Sequence, residues 1–262
     1  MIDWRHWHNE PFLTGGLIFA GWLYAVLAGP LRGRLALGSP YPRGKALLFY
    51  TALVVFYLAV GSPLDQVAER FLLTAHMAQH LLIMYPVPLL MLLGTPAWMV
   101  DPVLSRPLLR APLRLLLSPL ACGVLSTGVI SVWHAPFLYE WTLQDKLVHV
   151  GEHLMFLAVS LLYWWPLCSP SRVFPPPGYG ARILYLFATE VAMIPVSAYV
   201  VFSSDVLYPT YEYAPRLVAG FSPLDDQLTA GVLMKVAGIA VTMAALSVCF
   251  FRWSRASGTD PS

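Results

Sequence analysis

The sequence is short of charge. Only 11% of its 262 residues are Asp, Glu, Lys or Arg, where a soluble domain carries about 25%. With 58% hydrophobic residues, such a chain has too little polar surface for a water-soluble fold, and a bilayer is its expected solvent. Cysteine is equally scarce. Cys122, Cys168 and Cys249 form no CxxC pair, so neither a zinc ribbon nor a disulfide scaffold is expected. The net charge is +2, with basic residues scattered rather than gathered into a patch, which argues against nucleic acid as a partner. The opening MIDWRHWHNEPF lacks the basic-then-apolar order and the small-residue cleavage site of a secretory signal, so no cleavable signal peptide is expected.

Long apolar runs are abundant instead. A membrane-crossing helix needs about 20 mostly apolar residues. Seven segments qualify, at roughly 12–29, 46–61, 71–93, 115–133, 148–167, 183–203 and 228–251. The expected fold is an all-α membrane protein in which residues 1–262 form one domain of seven transmembrane helices. Pro86 and Pro88 predict a kink in the third span and Pro195 one in the sixth, because proline removes a helix donor and clashes with the preceding turn. Orientation follows from the basic residues, since loops rich in Lys and Arg stay cytoplasmic. With the N-terminus outside, eleven basic residues fall on the inner side, from Arg32 to Arg255. Arg5, Arg70, Lys146 and Arg216 fall outside, and Lys235 lies within the last span. The C-terminus is then cytoplasmic.

This topology gathers every histidine near the outer face. His6 and His8 precede the first span, His76 and His80 lie in the outer half of the third, His134 ends the fourth, and His149 and His153 open the fifth. His76/His80 and His149/His153 are both i, i+4 pairs, which project from one helix face. Two such helices side by side offer four nitrogens to one ion. A single pair of this kind is readily accidental or merely hydrogen-bonded. Two pairs at matching depth, with His134 beside them, favour a metal site. Imidazole suits zinc, copper and iron, while thioether sulfur selects Cu(I). Met77 adjoins the first pair and Met234 lies in the outer half of the last span. A His/Met set facing an oxidising compartment without thiolate suits a copper ion. The expected ligands are His76, His80, His134, His149 and His153, with Met77 and Met234. Gln79, Glu152 and Asp226 are expected around them as partners for the ligating imidazoles.

Other polar residues in apolar runs are expensive to bury. Glu190, midway along the sixth span, and Lys235, two turns into the seventh, are expected to pair. Asp65, Glu212, Asp225 and Asp226 fall in outer loops, either to attract a cation or simply as solvated charge.

Several motifs follow one another along the chain: Ser62-Pro-Leu-Asp65, His76-Met-Ala-Gln-His80, Trp133-His-Ala-Pro-Phe-Leu-Tyr139, His149 with Glu152-His153, Trp164-Trp-Pro166, and Asp226-Gln-Leu-Thr-Ala-Gly231. This succession resembles the caa3-type CtaG family of cytochrome c oxidase assembly factors, seven-span proteins of the bacterial inner membrane, over about residues 10–250. It is not similar to the single-span copper chaperone that shares the CtaG name. The resemblance implies a non-enzymatic role in making an active haem–copper oxidase by handling copper for its buried copper centre. An oxidase subunit is then the client, with a periplasmic copper chaperone and membrane lipid as further partners. The family's motif histidines map onto His76, His80, His134, His149 and His153; His6 and His8 are less secure. Two other readings stand beside it. His149-x-x-Glu152-His153 has the H-x-x-E-H order of an intramembrane zinc protease, and one histidine from each of two helices is able to ligate haem.

Overall fold

The structure, a computed structural model, describes residues 4–5, 7–36 and 38–257; His6 lies outside them. Every regular element among the described residues is helical. Helix α1 (Pro11–Ala28) leads through the single turn α2 (Arg32–Leu35) into α3 (Arg43–Gly61). The short α4 (Pro63–Arg70) precedes α5 (Leu73–Met84) and α6 (Pro86–Gly94). The connecting helices α7 (Ala97–Leu104) and α8 (Pro107–Leu116) then lead to α9 (Pro119–Trp133) and α10 (Pro136–Gln144). The rest comprises α11 (Lys146–Cys168), α12 (Tyr179–Ala192), α13 (Ile194–Phe202), the one-turn α14 (Pro209–Glu212) and the long α15 (Pro223–Ser257).

Six of these are long and apolar enough to cross a membrane, counting α5–α6 and α12–α13 as one each. The breaks within those two fall at Tyr85, before Pro86, and at Met193, two residues before Pro195, as the proline positions predict. The expected fourth span differs. Helices α8 and α9 meet at 63°, and the 15 residues of α9 rise only about 22 Å at 1.5 Å each, short of a hydrocarbon layer of roughly 30 Å. The cause is local. Ser118 accepts a hydrogen bond from Ala121 N and Pro119 takes the first helical position, so a new helix starts at 119 rather than 115. The last span starts earlier than its apolar run because Asp225 and Asp226 sit in its first turn, where the helix dipole favours negative charge.

The distribution of side chains is inverted relative to a soluble protein. Phe12, Leu120, Leu147 and Phe202 are each more than three-quarters exposed, while His76, Gln79, Glu152 and Asp226 are completely buried. Apolar surface on this scale is stable against lipid and not against water. Helix α11 lies centrally, packed on α5, α6, α9 and α10; α15 packs on α5, α12 and α13; α1 rests at the edge against α3. Two contacts set the spacing. A Cβ on Gly94 would stand 2.6 Å from Phe49 N and 2.9 Å from Lys45 O, so α6 and α3 meet backbone to backbone. Glu190 and Lys235 pair at 2.5 Å, as their placement predicts, and Thr242 donates to the same carboxylate at 2.9 Å. Nothing in that group is left as an isolated buried charge.

Candidate metal centre

The chemistry sits at one end of the bundle, and the start of α5 positions it. Leu72, at the N-cap, supplies no side-chain cap. Asp226 reaches across from α15 instead: its carboxylate accepts from Leu73 N at 2.7 Å, Thr74 N at 3.0 Å and the Thr74 hydroxyl at 2.6 Å. Two residues beyond that clamp stands His76. Gln227, the next residue on α15, holds the 200–207 segment through Leu207 N and the carbonyls of Val200 and Asp205.

The two histidine pairs converge. Ring centroids of His76 lie 5.6 Å from His149 and 6.2 Å from His153, and His80 lies 5.3 Å from His153. One ligand atom from each of His76, His149, Glu152 and His153 falls within 4.8 Å of all the others, and all four residues are buried. Ligands bonded at 2.0–2.2 Å stand at most about 4.4 Å apart across one ion. The group is therefore within a few tenths of an ångström of closing on a cation. Glu152 belongs to this inner group, closer than the supporting position its sequence suggests.

Hydrogen bonding fixes which ring nitrogens are free. The Tyr211 hydroxyl donates to Ala68 O at 2.7 Å, so its oxygen accepts from Nδ1–H of His76 at 3.0 Å and leaves Nε2 of His76 with a lone pair, which accepts from His80 Nε2–H at 2.8 Å. Burial pushes the Tyr211 phenol pKa well above its ordinary value, which keeps that proton in place. Nδ1–H of His149 donates to Glu69 at 2.8 Å, freeing its Nε2. Nδ1–H of His134 donates to Ile130 O at 2.7 Å, freeing Nε2 there too. Among the described residues, His149 Nε2, His153 Nε2 and both carboxylate oxygens of Glu152 are buried with no hydrogen-bond partner. A buried unsatisfied polar atom costs about 1–3 kcal/mol, and these four belong to residues of the one cluster. A cation supplies what all of them lack, so the residues present fit a metal ion. They would hold it through neutral imidazole and one carboxylate.

Around the cage, Glu69 and Tyr211 orient two of its imidazoles, which is how ligand tautomers are ordinarily set. Neither was expected from sequence. Glu69 carries the weak signal of an i, i+4 spacing from Asp65. Tyr211 carries none, since only the tertiary fold returns its loop to His76. Gln79 instead donates to Ala59 O at 3.0 Å and Asp65 at 2.6 Å, and Asp65 pairs with His8 at 2.6 Å. The outer acidic residues do not gather as one cation-attracting group: Asp65 and Asp226 are buried in these networks, while Asp225 caps its own helix through Ser222. Burial, reinforced by the charge of Glu69, pushes the Asp65 carboxyl up to about 6. Burial also raises Glu69, but the His149 hydrogen bond and charge outweigh it, and the net shift is downward.

Tyr139, Tyr208 and Tyr211 roof the cage, all buried, with Tyr139 and Tyr208 rings 4.1 Å apart. To one side a cavity of about 370 Å³ runs between α1, α3 and α11, apolar along Leu17, Leu53 and Leu157 and polar where Asp65, Glu69, His149 and His153 border it. His134, Met77 and Met234 line a different, smaller cavity together with His80. A comparison of sequences then decides the family. The profile described as cytochrome c oxidase caa3 assembly factor (Caa3_CtaG) matches residues 22–256. The chain belongs to that family. The match covers every residue of the caa3 assembly factor cage, its tyrosine roof and the small cavity, and stops short only of the first residues and the extreme C-terminus. No curated protein and no solved structure matches the chain significantly.

Proposed function

We propose that this member of the oxidase assembly family binds a copper ion in the cage of His76, His149, His153 and Glu152, with His80 as the adjoining imidazole, and hands it to a haem–copper oxidase subunit. The observation that carries the reading is the set of free imidazole nitrogens and orphaned carboxylate oxygens brought together in a buried shell of histidines and one glutamate, without thiolate. Nitrogen donors with one carboxylate suit copper, and binding a bare ion in a water-poor cage demands donors with an available lone pair; His76 Nε2 would exchange its bond from His80 for the ion. The polar mouth of the large side cavity touches His149 and His153, which gives an incoming chaperone or the client a lateral approach to the ion.

The cage faces the outer side of a bacterial inner membrane in this reading. Its support is the basic-residue bias, together with Arg110 and Arg114 one turn apart on α8. A helix with such a face lies along the cytoplasmic headgroups and leads into α9 as a bent seventh span. Deleting the protein should leave oxidase polypeptide in the membrane with lowered activity and lowered copper, partly restored by added copper. Normal copper in an inactive oxidase would point to a haem or folding role instead.

A further inference from the structure

The small cavity beside the cage has a composition of its own. It holds about 50 Å³ and is lined by His80, His134 and four methionines, Met77, Met84, Met193 and Met234. The methionines form two tiers. Met77 and Met234 pack in the cluster beneath the tyrosine roof, while Met84 and Met193 pack against the deeper core around Phe156. Two buried nitrogens among the lining residues have no hydrogen-bond partner, His80 Nδ1 and His134 Nε2. The tautomers assigned above explain why. His76 has its proton on Nδ1, so at the 2.8 Å contact between the two Nε2 atoms it is His80 that donates. His80 Nδ1 is then left with a bare lone pair.

We propose that this chamber is a second, soft metal site, taking a monovalent ion of the Cu(I) or Ag(I) class through His80 Nδ1, His134 Nε2 and the thioethers of Met77 and Met234. Every candidate donor is neutral. Among the described residues, the charged groups on the wall are Glu190 and Lys235, which are paired at 2.5 Å. Such a site compensates a single positive charge far better than two, and thioether sulfur selects Cu(I) over divalent ions. The cage differs on both counts, having a carboxylate and no sulfur. His80 stands between the two sites, its Nε2–H donating to His76 Nε2 of the cage and its Nδ1 lone pair belonging to the chamber, so an ion leaving the cage reaches the chamber without entering water and without a change of oxidation state. This deepens the copper-handling reading and rests on it. Leucine in place of methionine conserves volume and is tolerated in most cores, so the double variant Met77→Leu/Met234→Leu isolates the sulfur donors.

The test uses full-length protein purified in detergent without a histidine tag, loaded with Cu(I) against a competing chelator, and separately with Zn(II). Wild type should bind two Cu(I) per chain with sulfur visible in the X-ray absorption spectrum, and one Zn(II). The Met77→Leu/Met234→Leu variant should lose one Cu(I) and the sulfur signal and keep Zn(II). His149→Gln/His153→Gln should do the reverse. One Cu(I) in a sulfur-free shell of nitrogen and oxygen, unchanged by the methionine variant, overturns the chamber, leaves the cage standing and makes the cavity a water pocket. A folded wild type that binds neither metal overturns both.

Discussion

At the residue scale the cage depends on which nitrogens are kept free, and that is decided by residues outside it. Glu69→Gln keeps the shape but weakens the bond that holds His149 Nδ1–H. Copper affinity should fall about 10–100-fold, the usual cost of losing such a partner, as read by chelator competition. His153→Ala should abolish cage binding, whereas replacing His8, whose partner is Asp65, by alanine should weaken it little. Asp65 gives a pH signature. Its carboxyl ionises at about 6 in the folded protein and near 3.8 ordinarily. The folded state therefore binds more protons between those values, and stability falls as pH rises through that window, the loss being complete above about 6. Thermal melts of the metal-free protein from pH 4 to 7 should show this decline, and Asp65→Asn should flatten it. A wild-type melt independent of pH there would remove the burial argument for Asp65.

At the element scale, the helices that matter are short pieces pinned by neighbours. Asp226 does for α5 what its own N-cap does not. Asp226→Ala should cost roughly 0.5–2 kcal/mol, the range of a lost cap, and loosen His76 with it, lowering copper affinity as well as melting temperature. Gly94→Ala should cost about 1–3 kcal/mol, because its methyl meets the α3 backbone rather than a side chain that can turn away. Much of this scale was legible in the sequence. Apolar length located the six long helices, and proline located the breaks at 86 and 195. The i, i+4 spacing puts each histidine pair on one helix face, and the packing of α5 on α11 brings the two faces together. The fourth apolar run starts at 115 in the sequence and its helix at 119, because hydropathy continues through 115–118 while Ser118 and Pro119 start a new helix in a new direction. Asp226 looked like a loop charge beside the site because nothing local reveals that α5 lacks a cap.

At the scale of the whole molecule, the bundle is a polar shaft inside an apolar shell, with the cage at one end and the Glu190–Lys235 pair deeper in. Orientation is testable by fusions. Alkaline phosphatase should be active when joined within 136–146 or 204–226, and a fluorescent protein should report 30–45, 95–114 and 169–181 as cytoplasmic. Phosphatase activity near residue 175 would reverse the topology and place the cage on the wrong side for an outer copper supply. The most direct measurement is the metal content of the protein itself, purified without a histidine tag from copper-replete membranes beside a His149→Gln/His153→Gln variant of equal thermal stability. Wild type should carry copper, and the variant at least one ion per chain less. Equal copper in the two, or a wild type holding only zinc, would contradict copper binding in the histidine cage.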